Sequence, residues 1–331
     1  NTLGVLVFVV SGFAITGELF RKDRAQVNFL LLAAGCVPLF VYTNVIYGEV
    51  LAIAAVSFGL WMFLRWLREE KLRDLILMIL ALVFAVYMKN NALIAAVAII
   101  LTALIKAVAE HRKKLAVWMI PFLAALLLSQ PAMTKLYEHR SGWPLDRGMP
   151  KTLWVAMGLQ GEGMTAGWWN EYPDKVYKEQ AGYNPEEADA IAKEAIAFSV
   201  KGFAEHPKAA VSFFGHKFVS QWNDAGYGCE VSAGSQDTPR LEFWMNGYQS
   251  LIFLGACAFA VLAWKRRYRI EACLPVLILL GGYLFHLAWE VKGRYGLFYF
   301  VLLLPAAAEG LAGLTEKALK KEKAGENVHE A

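Results

Sequence analysis

The sequence of 331 residues is 57% hydrophobic and only 19% charged. Together with a mean hydropathy of +0.38, this composition excludes an ordinary soluble globular domain and indicates a membrane protein. The formal net charge is +4, but the basic C-terminal stretch is interleaved with glutamates, which favours an anchor at a membrane surface over nucleic-acid binding.

Apolar runs divide the chain into about nine segments long enough to cross roughly 30 Å of hydrocarbon. We therefore predict an all-α polytopic membrane protein with about nine transmembrane helices. The predicted spans are residues 2–20, 27–46, 48–66, 74–88, 91–108, 115–130, 245–264, 272–289 and 296–314.

Basic residues form five clusters, and the predicted spans place all five on one face of the membrane. The clusters are Arg21 to Arg24, Arg65 to Arg73, His111 to Lys114, Lys265 to Arg269 and Lys317 to Lys323. By the positive-inside rule this face is the cytoplasmic one. We expect a multi-pass protein of the cell membrane with its active face on the opposite, extracytoplasmic side.

The block between the sixth and seventh predicted spans is charged, rich in aromatic residues and punctuated by Gly and Pro. Asn184-Pro185 has the features of a helix start, and apolar spacing predicts a helix to about Phe203. His206-Pro207 then ends this helix and begins another. We predict transmembrane helices one to six in residues 1–130, a mainly helical extracytoplasmic subdomain in 131–244, transmembrane helices seven to nine in 245–314 and a basic cytoplasmic tail in 315–331.

The segment from Glu290 to Tyr295 places charges between two apolar runs, at a position where the chain turns at a membrane surface. A Lys or Arg at a helix centre costs about 2.5–3.5 kcal/mol unless it has a partner, and less near the interface. Lys292 and Arg294 therefore mark a functional site, or they extend their charges to the lipid headgroups.

Two further polar positions lie on the same predicted face. Glu49 follows Tyr47-Gly48, where Gly48 permits a close backbone approach. The carboxylate either stabilises a helix N-terminus or faces a polar cavity. Lys89 ends the next hairpin, and the helix-capping role available to the adjacent asparagines does not account for a cation there.

Aromatic and polar residues cluster twice in the 131–244 block. One cluster contains Trp168, Trp169 and Asn170, and the other contains Lys217 and Trp222. Tryptophans beside amides can stack on sugar rings, or they can form an interfacial belt or pack in a core. The sequence has no glycine-rich nucleotide motif, HExxH or Cys/His metal spacing, so it predicts no metal site.

This pattern resembles the GT-C superfamily of polytopic glycosyltransferases, especially members of glycosyltransferase family 39 similar to protein O-mannosyltransferases and aminoarabinose transferases. Glu49 in Tyr47-Gly-Glu49 looks like an acidic residue of the family. That residue follows a pair of spans, at the end of the second outer loop. Met88-Lys89 looks like the lysine that ends the next hairpin, and Gly293-Arg-Tyr295 looks like the late Arg-Tyr signature. The order of these motifs extends the resemblance over nearly the whole chain.

The resemblance implies a polyprenyl-phosphate-linked sugar as donor and an extracytoplasmic protein, lipid or glycan as acceptor, with membrane lipids as further partners. Glu49 would act as base or would assist a metal, so no cofactor is assigned but a divalent cation is left open. The donor phosphate would meet Lys89, Lys292, Arg294 and Tyr295, because cations stabilise charge where it develops on a leaving group. The Trp168–Asn170 cluster with Lys217 and Trp222 would contact the acceptor.

The sequence departs from the family pattern in two ways. The family's catalytic aspartate lies in a first outer loop near the start of the protein, and no equivalent position follows Asn1. Because the chain begins without Met or a basic leader, we expect it to be a fragment that lacks upstream sequence. The extracytoplasmic block is also internal, whereas the aminoarabinose transferases have a C-terminal domain.

Two other classes of protein compete with this interpretation. A transporter or flippase for lipid-linked or anionic substrates would line its pathway with the same charges, although paired broken spans are not evident. A non-catalytic scaffold would use the external block to bind a partner. An acidic pair in an upstream outer loop would favour the transferase, and a mirrored repeat would favour the transporter.

Overall fold

The computed structural model describes residues 1–45, 47–145, 147–161, 165–229 and 238–329. Within these ranges the regular elements are helices, which confirms the predicted all-α polytopic class. The α-helices are α1 (Thr2–Phe20), α2 (Asp23–Gly35), α3 (Val37–Val41), α4 (Glu49–Glu69), α5 (Leu72–Met88), α6 (Ala92–Ala109), α7 (Lys113–Ser141), α8 (Thr152–Gly158), α9 (Tyr172–Lys175), α10 (Pro185–Glu205), α11 (Pro207–Trp222), α12 (Thr238–Arg266), α13 (Leu274–Ala288) and α14 (Gly293–His329).

Seven helices of the described ranges are long and apolar enough to cross a membrane, and an eighth span is added if one bent pair counts as one. The bent pair is α2 with the helical residues that follow it to Asn44, where the axis turns by 59°. A proline at position 38, directly after the break, favours this bend. The fourth predicted span is α5, whose 17 residues make it shorter than these seven helices.

The chain divides into two compact units. Unit 1 comprises residues 1–126, 229–281 and 297–331, and unit 2 comprises residues 127–228 and 282–296. In unit 1, α4 packs against α1 and α5. Small residues bring α12 and α14 close together, since a Cβ atom at Gly310 would overlap the backbone of Gly255.

Unit 2 contains residues 131–228 of the block predicted as 131–244, and the rest of that block belongs to unit 1. Its core joins α8, the turn after α9 and α10 through buried residues that include Leu153, Tyr177 and Ala188. Helix α10 starts as predicted, because the Asn184 Oδ1 accepts hydrogen bonds from the backbone N–H groups of Glu186 and Glu187 at 3.0 and 3.2 Å. His206 separates α10 from α11, also as predicted.

Two helices run past the predicted boundaries. Helix α7 continues through Pro131 to Ser141, although the sequence predicts the end of a span at residue 130. Helix α14 contains Pro305 and continues through the segment predicted as a tail. Proline is tolerated inside membrane helices when neighbouring groups satisfy the freed carbonyl, so it is a weaker stop signal there than in soluble proteins. The tail side chains beyond Lys317 lie outside the described residues.

Candidate active site

Glu49 and Lys89 form a buried ion pair in unit 1. Glu49 is the first residue of α4 and is only 3% exposed, and Lys89 ends α5. The Lys89 Nζ lies 2.6 Å from a carboxylate oxygen of Glu49 and 3.7 Å from the centre of the Tyr47 ring. The carboxylate therefore lies at a helix N-terminus, which is one of the two alternatives considered from the sequence, and it has a cation beside it. A polar cavity at Glu49, the other alternative, stays a prediction.

Gly48 allows this pair to form. A Cβ atom at this position would lie 2.5 Å from the carbonyl oxygen of Met88, so only glycine permits the approach of the two chain segments. Because Met88 directly precedes Lys89, the same approach places the lysine against Glu49. The close backbone approach predicted at Gly48 is confirmed.

In unit 2, the segment from Glu290 to Tyr295 folds onto the start of α14. The Tyr295 hydroxyl donates a hydrogen bond to Glu290 Oε1 at 2.5 Å, and the Tyr295 N–H donates to the Lys292 carbonyl at 3.0 Å. Helix α14 begins at Gly293, and its first turn contains no acidic residue. Lys292 and Arg294 therefore lie at a helix N-terminus, where backbone N–H groups and the helix dipole favour an anion.

The predicted tryptophan cluster meets this segment directly. The Val291 N–H donates to the Gly167 carbonyl at 2.9 Å, and Trp168 forms an isolated parallel bridge with Val291. Trp169 and Lys292, the residues that follow Trp168 and Val291, are therefore neighbours. The Lys292 Nζ lies 4.3 Å from the centre of the Trp169 ring. Unit 2 thus joins two predicted groups of site residues that are more than a hundred positions apart in sequence.

Trp169 is the exposed member of its cluster, with 45% of its surface accessible. Asn170 makes two hydrogen bonds within unit 2. Its side-chain Oδ1 accepts one from the Tyr172 backbone N–H at 2.9 Å, and its backbone N–H donates one to the Met157 sulfur. A ring with a cation on one side and solvent access offers a surface for stacking on a sugar.

Lys217 and Trp222 are buried. The Lys217 ammonium donates to the carbonyls of Gly158 and Leu287 at 2.5 and 2.9 Å, which lie in the last turns of α8 and α13. Burial lowers the pKa of Lys217 to about 7. Trp222 packs edge-on against Tyr283, with ring centres 4.4 Å apart. These contacts give both residues a packing function, and their predicted contact with an acceptor stays a prediction.

Sequence reasoning missed Asp224. Its Oδ1 accepts hydrogen bonds from the N–H groups of Gly226 and Tyr227 at 3.1 and 3.2 Å. Its Oδ2 lies so close to Gly293 that a Cβ atom there would overlap it. The sequence does contain a signal for the turn, because an Asp two residues before a glycine is typical of an Asx turn. It contains no signal for the contact with Gly293, nearly 70 positions away.

His286 was also missed. Its Nδ1 lies 3.0 Å from the Glu290 carbonyl oxygen, and its ring stacks on that of Tyr295 with centres 5.7 Å apart. A histidine inside a predicted span gives no sequence indication of this contact. The two contacts hold the turn between α13 and α14 against the first aromatic residue of α14.

No group of three or more His, Cys, Asp or Glu side chains suited to a metal occurs within the described ranges. In unit 1 the buried Glu49 has a lysine as its close partner. This pairing places positive charge where a cation ligand set would need further oxygen donors. A divalent cation at this site stays a prediction.

Comparison with known proteins bears on this arrangement. The sequence model of the dolichyl-phosphate-mannose-protein mannosyltransferase family matches residues 2–134. The match confirms the GT-C resemblance. Neither a curated protein nor a solved structure gives a significant match to the chain.

The matched range contains Glu49 and Lys89 but covers less than half of the chain. It supports a membrane glycosyltransferase with a lipid-linked sugar donor and, in general terms, a polyprenyl-phosphate-linked sugar as partner. The GT-C match does not extend to Trp168–Asn170 or to Lys292–Tyr295, so the role of these residues in a site stays a prediction.

The contact between Gly293 and Asp224 generates a first prediction. Gly293→Ala places a methyl group against the Asp224 carboxylate, so we expect the turn before α14 to shift and binding of a polyprenyl-phosphate donor to fall by roughly tenfold or more. The matched control is Gly215→Ala in α11, where a Cβ atom meets nothing within 4 Å. Donor binding by titration measures both variants, and equal affinities would show that this turn does not position the donor.

Lys217 generates a second prediction. Because its pKa is about 7 in the folded protein and its ordinary value is 10.5, the unfolded chain binds more protons between these values. The contribution of Lys217 to the free energy of unfolding therefore increases as pH rises from about 7 to about 10.5, and it is constant below pH 7.

Lys217→Met should remove this slope and lower stability by about 1–3 kcal/mol, since two buried carbonyls lose their donor. Lys201→Met, at a site 75% exposed, is the control. Thermal unfolding of the purified variants across this pH range gives the comparison. A parallel pH profile for Lys217→Met and the unmodified protein would contradict the assigned role.

Proposed function

We propose that this protein transfers a sugar from a polyprenyl-phosphate-linked donor to an acceptor on the extracytoplasmic face of the cell membrane. The family match supports the coarse activity, and the geometry of unit 2 supports the mode of donor binding. The sugar is a hexose or a pentose, and the acceptor is a protein, a lipid or a glycan.

The start of α14 is the observation that carries this proposal. A long helix begins at Gly293 with Lys292 before it and Arg294 in its first turn. A phosphate leaving group gains negative charge as the glycosidic bond breaks, and preorganised cations with a helix N-terminus stabilise that charge. Arg294 can offer two parallel N–H groups to two phosphate oxygens.

Trp169 supports the binding of a sugar beside that phosphate. Its exposed ring adjoins Lys292, so a sugar stacked on the ring would have its phosphate within reach of the cation. Aromatic faces suit sugar rings because the C–H groups of one sugar face are apolar. In this proposal Lys292 therefore binds the phosphate and Trp169 the adjacent sugar.

Glu49 is the proposed base that accepts the proton of the acceptor hydroxyl. Its close contact with Lys89 orients the carboxylate, and Lys89 also offers positive charge to a phosphate. Glu49 and Lys89 belong to unit 1, and Lys292 and Arg294 belong to unit 2. Help from a divalent cation is also part of the proposal.

Arg294 provides the test of donor binding. We expect Arg294→Ala to weaken binding of a polyprenyl-phosphate sugar by at least about 1.5–3 kcal/mol, the value of a hydrogen bond to a charged group. Arg294→Lys should restore only part of the affinity, because a lysine cannot form the bidentate contact. Isothermal titration in detergent micelles measures all three proteins.

Arg140→Ala is the control, since Arg140 is an exposed arginine of the same unit. It should bind the donor as the unmodified protein does. If Arg294→Ala and Arg294→Lys both retain full affinity, Arg294 serves only to anchor the helix at the headgroups, and the proposed phosphate site is wrong.

Glu49 provides the test of chemistry. Glu49→Gln keeps the size of the side chain and removes its charge, so we expect transfer of a labelled sugar to fall by about a hundredfold or more while donor affinity changes little. Glu69→Gln at the other end of α4 is the control. Full turnover by Glu49→Gln would limit Glu49 to stabilising the start of α4.

The same assay separates the transferase from the rival transporter. A transferase releases polyprenyl phosphate and forms a new glycosidic bond, whereas a flippase leaves the donor intact. Mass spectrometry of the lipid fraction after incubation distinguishes these products.

A further inference from the structure

A second charged cavity lies in unit 1 at the far end of α4 from Glu49. Its volume is about 210 Å³, and its lining includes Leu64, Leu67 and Arg68 in the last turns of α4. Nineteen residues of helix, or roughly 28 Å at 1.5 Å per residue, separate Arg68 from Glu49. This cavity is therefore distinct from the Glu49–Lys89 pair.

The cavity holds more cations than carboxylates. Five cations, namely Arg21, Arg68, Lys106, Arg112 and Arg269, face three carboxylates, namely Glu18, Glu110 and Glu271. The adjacent Glu69 and Glu70 also pair with Arg68 and Arg112. Every one of these carboxylates is already paired, since Glu18 contacts Arg68, Glu110 contacts Lys106 and Glu271 contacts Lys106. Arg68, Lys106, Arg112 and Arg269 therefore all have carboxylate partners, and Arg21 is the lining cation for which the described residues provide none.

Lys106 shows that this is a built cavity and not a solvated cluster on the surface. Its side chain is only 6% exposed, and its Nζ lies 2.6 Å from Glu110 and 3.0 Å from Glu271. Arg112 is fixed by Glu70 at 2.5 Å and by the Leu67 carbonyl at 3.3 Å. Ion pairs held in this way present their remaining N–H groups in fixed directions.

Arg21 completes the lining. It is the residue that ends α1, with its backbone in the left-handed region at φ 53°. Within the described ranges, no carboxylate lies in ion-pair distance of its guanidinium. An anion that enters the cavity can therefore bind the Arg21 guanidinium without breaking an existing ion pair.

We propose that this cavity binds a phosphate group, supplied by the headgroup of an anionic lipid. Its volume of about 210 Å³ suits a phosphate group and not a whole lipid. Residues at the ends of α1, α4 and α6 line the cavity. Half of the apolar window of α1 and of α6 is not buried inside the protein, so these two helices offer a surface for acyl chains. The basic clusters that form it are those predicted to face the cytoplasmic leaflet.

Arg21 and Arg24 provide a matched pair for the test. Both are exposed arginines of one basic cluster, and only Arg21 lines the cavity. Native mass spectrometry of the purified protein in detergent, titrated with phosphatidylglycerol or phosphatidylcholine, counts bound lipids and gives their affinities. We expect a preference for phosphatidylglycerol, a loss of about fivefold or more in Arg21→Gln, and no change in Arg24→Gln.

Inorganic phosphate is the third ligand in this experiment. If it displaces phosphatidylglycerol at millimolar concentration and binds as well in the absence of lipid, the cavity takes a free phosphate and the lipid assignment is overturned. Equal affinities for the two lipids, or equal losses in Arg21→Gln and Arg24→Gln, would overturn the anion site itself. Because neither arginine makes an ion pair in the described ranges, a folding defect is not expected to confuse the comparison.

Discussion

A charge that enters the hydrocarbon needs a partner, and this constraint organises unit 1. Its buried carboxylates lie beside cations from other helices: Glu49 pairs with Lys89, Glu271 with Lys106, and Glu309 with Lys22 at 2.6 Å. Removing one member of such a pair leaves an uncompensated buried charge, which costs more than the pair itself contributes. The pairs therefore fix which helices are neighbours, and the candidate base and the proposed lipid site both use groups that this constraint had already brought together.

Unit 2 is organised by backbone groups instead. Lys217 holds the carbonyl ends of α8 and α13, and Asp224 and Gly167 contact the turn from Val291 to Gly293 from two sides. Gly167 is suited to this position because its φ is +66° and a Cβ atom would lie 2.6 Å from the Lys217 side chain. The cations at the start of α14 are thereby presented on a rigid support, which an electrostatic site requires if it is to act without reorganising.

Local chemistry explains what could be predicted from the sequence. The start of α10 depends on Asn184 and the two residues after it, and the fold class depends on the length of apolar runs; both are short-range signals. The approach at Gly48 was also predictable, since a residue without a Cβ atom permits close backbone contact. The burial of Lys217, the contact of Asp224 with Gly293 and the continuation of α7 past Pro131 depend on residues distant in sequence or on the membrane environment, and no local pattern indicates them.

The central claim is that the start of α14 binds the phosphate of a lipid-linked sugar. Its most direct test is photocrosslinking with a polyprenyl-phosphate sugar that has a photoreactive group next to the phosphate, followed by peptide mapping. The account predicts labelling of the peptide that contains Lys292 to Tyr295, and unlabelled polyprenyl phosphate should suppress it. Labelling that spares this peptide, or that excess polyprenyl phosphate leaves unchanged, would contradict it.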